Sequence, residues 1–181
     1  VKERGQFVAT MRYVHVALME TLAAWVPTTP EMEVKLLFGE HIWDVAQHAD
    51  ALGKRTFELR LPLQHSLRPA DAYAELLADI AALAPTPERI AAIYDVLLPG
   101  LANRYRRYLS ETDVLLDAPT ARIIESWLFA WSRMQETRHK LCTELPNIQV
   151  DDAAWVPQLQ ARETAVHDLV DAQVRALPVE A

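Results

Sequence analysis

The stretch EVKLLFGEHIWDVAQHADAL, residues 33–52, decides the fold class. Its apolar side chains Val34, Phe38, Ile42, Val45, Ala49 and Leu52 recur at spacings of three and four. At about 100° per residue they fall on one stripe, the signature of a helix with a single buried face. No proline interrupts it, so a helix is expected over 30–59. The same projection places a first helix at 6–26, burying Phe7, Met11, Val14, Leu18, Leu22 and Trp25. A helix over 87–110 buries Ile90, Tyr94, Leu97, Leu101, Tyr105 and Tyr108, with Pro99-Gly100 expected to kink or split it. A helix over 118–143 buries Ile123, Trp127, Trp131, Met134 and Leu141. A shorter segment, 69–84, is expected across the connection between the second and third long helices, and a fifth helix over 152–177 closes the chain. Pro30, Pro87, Pro119 and Pro157 stand where helix-opening prolines stand. No stretch sustains two-residue alternation, so no sheet is expected. The expectation is an all-α single domain over residues 1–181: an antiparallel four-helix bundle with a crossover helix and a C-terminal fifth helix.

Composition agrees. The 181 residues include only 4 Gly against 27 Ala, a helix-forming balance with few hinges. A formal charge of −7 argues against nucleic acid or an anionic membrane as partner, because both attract positive patches. No apolar run approaches a bilayer span, and no charged-then-apolar leader opens the chain. The single cysteine, Cys142, excludes an internal disulfide framework and points to a reducing, cytoplasmic setting, with the thiol as a small core filler. There is no Gly-rich phosphate loop, no Gly-x-Ser-x-Gly and no cysteine pair for zinc. The run Arg104-Tyr105-Arg106-Arg107-Tyr108 reads as two core tyrosines and a solvated or salt-bridged basic face.

The polar residues beside the core stripe hold the candidate chemistry. His41, Asp44 and His48 form an i, i+3, i+7 set on one flank of the second helix, and a carboxylate between two imidazoles is competent to bind a transition metal. Glu40 lies one step further round. Glu125 on the helix from 118 is the best-placed partner across the bundle, ahead of Glu136 and His139 near that helix's end. With the turn at residues 26–30, antiparallel pairing sets residue n opposite roughly residue 56 − n, which brings His15 level with His41.

Residues 33–52 resemble the second helix of bacterial ferritin-like proteins, and Asp117-Ala-Pro-Thr-Ala-Arg-Ile-Ile-Glu125 resembles the opening of their fourth. The resemblance implies a four-helix bundle built, in many members, around a carboxylate-bridged pair of iron or manganese ions. The chain departs from that pattern. The residue three before His48 is Val45 rather than Glu, and after Glu125 stands Ser-Trp-Leu-Phe-Ala-Trp-Ser, with aromatics where ligands would be expected. Two readings follow. In one, the metal site is altered or lost and the bundle binds a small apolar ligand or a protein partner, Trp43 suiting a contact with a second copy. In the other, His41, Asp44, His48 and Glu125 hold iron or manganese in a metal-dependent oxidoreductase.

Overall fold

A computed structural model describes residues 1–152 and 154–176. Every regular element among them is helical: α1 (Lys2–Trp25), α2 (Met32–Glu58), α3 (Asp71–Ala81), α4 (Thr86–Ala91), α5 (Leu98–Glu111), α6 (Ala118–Glu144), α7 (Trp155–Ala165) and α8 (Ala172–Ala176). The chain is all-α, and α1, α2, α4–α5 and α6 supply the long helices. Their buried stripes form one apolar core from Val8, Met11, Leu18, Phe38, Leu52, Ile90, Leu101, Ile124 and their neighbours.

α1 and α2 pack antiparallel, and their register differs from the expected one. His15 lies against His48, ring centroids 4.5 Å apart, and Trp25 lies against Phe38 at 5.8 Å. His15 is therefore two helical turns away from the expected level of His41. The connection explains the offset. After the 3₁₀ turn Val26–Thr28 the chain runs extended through Thr29 and Glu31, so α2 starts beyond the end of α1 instead of folding straight back. Contacts to α4 anchor that overhang: Thr86 Oγ1 donates to Glu31 Oε2 at 2.8 Å, and Arg89 donates to Thr29 Oγ1 at 3.2 Å.

The connection from α2 to α4 carries α3 back along the bundle, with Trp25 Nε1 donating to the Ala81 carbonyl at its far end. α5 consequently ends where α1 begins: Phe7 stacks on Tyr108 at 4.2 Å. α2 and α5 run in the same sense, and α1 and α6 run opposite to both. Between α4 and α5 the helix widens into a π-helical stretch, Ala92–Leu97, in which the Leu98 amide donates to the Ile93 carbonyl. Pro99 supplies the reason. It has no N–H for the Asp95 carbonyl four residues earlier, and its ring would strike that carbonyl. The displaced carbonyls find other donors: Gln135 Nε2 reaches the Tyr94 oxygen at 2.6 Å, and Gln160 Nε2 reaches the Asp95 oxygen at 3.0 Å.

The expected C-terminal helix over 152–177 is two helices. α7 stops at Ala165, and α8 begins at Ala172. Between them Leu169 and Val170 turn inward and are buried, the Leu169 carbonyl accepting from the Ala70 amide at 2.9 Å. Residue 177 lies outside the described residues. α7 is held by Glu163, whose buried carboxylate meets Arg104 at 2.8 Å over Gly100. A Cβ at position 100 would overlap that carboxylate, so glycine here is a close-approach requirement. Gly100→Ala should lower stability by about 1–3 kcal/mol through overpacking. Thermal denaturation followed by circular dichroism checks this, and an unchanged midpoint would show that α7 can shift freely.

Candidate functional site

The centre of the bundle is a layer with one ring from each long helix: His15 of α1, His48 of α2, Tyr105 of α5 and Trp127 of α6. Tyr105 and Trp127 rings are 5.0 Å apart, and His15 and His48 lie 5.5 and 5.8 Å from Trp127. All four are buried, His15 completely. A protonated imidazole would be expensive here. Burial pushes His15 down to about 4, against the pull of the Met11 carbonyl, and pushes His48 well below the usual histidine value, with His15 adding to the effect. Burial likewise raises the Tyr105 phenol, with Tyr73 adding to it, so the O–H is kept.

Those charge states assign the hydrogen bonds. His15 Nδ1–H donates to the Met11 carbonyl at 2.8 Å, which leaves Nε2 as a bare lone pair. That nitrogen is buried and has no partner, and neither has the indole N–H of Trp127. The Tyr105 O–H lies 2.9 Å from His48 Nε2 and, with a protonated phenol and a neutral imidazole, donates to it.

His41 and His48 do face into the bundle, but they join different partners. His41 Nδ1 is 2.6 Å from the Tyr94 hydroxyl, in the π-helical stretch. Asp44 is half-buried and turns to Arg133 at 3.5 Å. Glu125 is exposed, as are Glu40, Glu136 and His139. The buried face of α6 runs through Ala121, Ile124 and Trp127, and Glu125, one residue past Ile124, is carried outward by the helical rotation. His41, Asp44, His48 and Glu125 are thus not brought to one point. Among the described residues no three His, Cys, Asp or Glu side chains are placed to hold a metal ion. The carboxylate-rich two-metal arrangement does not fit these residues. Cys142 is buried, as expected of a core filler.

A groove of about 380 Å³ opens along the α2–α6 seam on the other side of His48 and Trp127. Ala51, Ile123, Phe129 and Ala130 make its apolar lining, and Arg122, Arg133 and Asp44 its charged rim. Phe129 stands 68% exposed at the mouth, with the Arg133 guanidinium over its ring at 5.7 Å. Among the described residues no helix is long and apolar enough to cross a membrane. Comparison with known proteins brings no match: no family model fits the chain, and no curated protein or solved structure is similar to it.

The tyrosine partners Tyr94 and Tyr105 were not among the sequence candidates. Both lie on the expected core stripe of their helix, and a buried phenol requires a hydrogen-bond partner, which was the available signal.

The buried neutral histidines predict an acid-sensitive fold. Burial, reinforced by Arg133, pushes His41 from 6.5 down to about 4. Between those values the unfolded chain binds a proton that the folded chain does not, so His41 contributes stability above pH 6.5 that is lost as pH falls toward 4. Urea unfolding from pH 7.5 to 4.5 should show a smaller stability loss in His41→Gln than in the unmodified chain. Equal losses would place His41 in water.

Proposed function

We propose that this chain is a ferritin-like bundle that has given up the two-metal carboxylate site and acts as a binding protein for a small ligand. The bundle assignment is supported by one long connection between α2 and α4, which leaves those two helices running in the same sense, the arrangement of bundles with a single crossover. The binding reading is carried by the α2–α6 groove. Its floor is a pair of rings, His48 and Trp127; its walls are apolar, and its rim offers two guanidinium groups, Arg122 and Arg133, against the one carboxylate of Asp44. A ligand with a flat apolar body and a single anionic group matches that lining: the body covers Trp127 and Ile123, and the anion pairs with arginine. Phe129 at the mouth would close over it. Trp43 and Leu36, both exposed on the outer face of α2, extend the apolar surface past the groove and suit a contact with a second copy.

The oxidoreductase reading loses its support with the outward turn of Glu125 and the engagement of Asp44 by Arg133. Among the described residues no other group of three His, Cys, Asp or Glu side chains takes their place.

Anilinonaphthalenesulfonate has the required shape, an aromatic body with one anionic group, and its fluorescence reports apolar contact. The full chain should bind it at one site with energy transfer from tryptophan. Ala130→Trp, which fills the groove, should abolish the signal, and Arg122→Glu should weaken binding by about tenfold, the loss of roughly 1.4 kcal/mol. Unchanged affinity in both variants would place binding elsewhere and refute the groove.

A further inference from the structure

The inner side of the His48–Trp127 wall has a property that the groove does not use. His15 Nε2 is a bare, fully buried lone pair with no donor in reach. Such an atom is costly unless something accepts the lone pair. Its orientation is fixed, since Nδ1–H is tied to the Met11 carbonyl, the arrangement that metal-bound imidazoles adopt to present the other nitrogen. Beside it are two further donors. His48 Nε2 and the Tyr105 oxygen are 2.9 Å apart, a separation that lets both lie about 2.0–2.1 Å from one ion. The ring centroids of His15 and His48 are 4.5 Å apart and those of His15 and Tyr105 5.9 Å apart, so the three donor side chains are immediate neighbours.

We propose that His15 Nε2, His48 Nε2 and the Tyr105 phenolate hold one divalent transition ion of the zinc class. The site is distinct from the His41, Asp44, His48, Glu125 set and shares only His48 with it. It also stands independently of what occupies the groove. Donor chemistry selects the ion: two imidazoles and a phenolate, with no carboxylate cage, suit zinc over calcium or magnesium. The neutral imidazoles described above keep their lone pairs at ordinary pH. On binding, the phenol O–H bond breaks, the oxygen–metal bond forms, and the proton leaves to solvent, so the dication and the phenolate leave one net positive charge. Trp127, with its ring centroid 5.0–5.8 Å from the other three, offers a π system near that charge. His48 and Trp127 also line the groove, so an ion reaches the layer by displacement of side chains there and not through the closed core.

The test uses the full chain, stripped with a chelator and titrated with Zn²⁺ alone. The expected result is one zinc per chain by elemental analysis after dialysis, with the ultraviolet difference absorption of tyrosinate rising to the same endpoint. Tyr105→Phe keeps the ring packing, so it should retain the helical circular dichroism, lose the tyrosinate signal and bind zinc at least about tenfold more weakly. His15→Gln should behave in the same way, whereas His41→Gln should bind zinc and give the tyrosinate signal like the unmodified chain. Sub-stoichiometric zinc overturns the proposal. So does binding that survives unchanged in Tyr105→Phe and His15→Gln, which would assign the metal to surface groups. A stoichiometric zinc with no tyrosinate signal removes Tyr105 as a ligand and overturns the site as stated.

Discussion

Four rings meet at the middle of this bundle, and each comes from a different long helix. His15, His48, Tyr105 and Trp127 are all buried, yet all four carry polar atoms that need partners, and His15 Nε2 and the Trp127 indole N–H have none. A buried hydrogen bond is modest when made and costly when missing, so this layer constrains register more sharply than the apolar residues above and below it. Sliding α1 by one turn against α2 would separate His15 from His48. Rotating α5 would strip His48 of the Tyr105 hydroxyl. The surrounding aliphatic side chains tolerate small shifts; the layer does not.

Two other features hold the helices in place around it. At one end Asp117, fully buried, accepts from Arg55 at 2.9 Å, Thr120 at 2.7 Å and Tyr108 at 2.5 Å, tying α2, α5 and the start of α6 together. Burial opposes its charge, but the donors from Tyr108, Thr120 and Arg55 hold its carboxyl below the usual carboxylate range. At the other end Pro99 widens the helix into a π turn and sets the Tyr94 hydroxyl against His41. Between these clamps the α2–α6 seam is less tightly filled, and that is where the groove opens. His48 and Trp127 belong both to the central layer and to the groove wall.

Much of this was legible in the sequence. The helix at 30–59 and the one at 118–143 are readable because their stripes are long and proline stands at their borders; the observed α2 and α6 differ from them by at most two residues at either end. Pro99-Gly100 announced a disturbance in its helix, although not that the break would fall upstream as a π turn. Register was the weak point. The extended passage Thr29–Glu31 has no periodicity to read, and it alone moves His15 from His41 to His48. The orientation of Glu125 depended on choosing Ile123 or Ile124 as the buried isoleucine, a difference of one residue, and Ile124 is the fully buried one. The break after Ala165 was hidden because Leu169 and Val170 look like a continuing helical stripe while serving as plugs under α3.

The account stands on His15 and His48 being neutral members of a closed layer. Histidine-selective ¹⁵N NMR across pH 8 to 5 measures this directly, because ring nitrogen shifts report both tautomer and charge. In the metal-free chain, His15 should remain in the Nδ1-protonated neutral form throughout, and His48 should also stay uncharged. Ring nitrogen shifts of His15 and His48 that move to those of the imidazolium as the pH falls through 6.5 would mean that both rings see water, and the layer that orders this bundle would not exist.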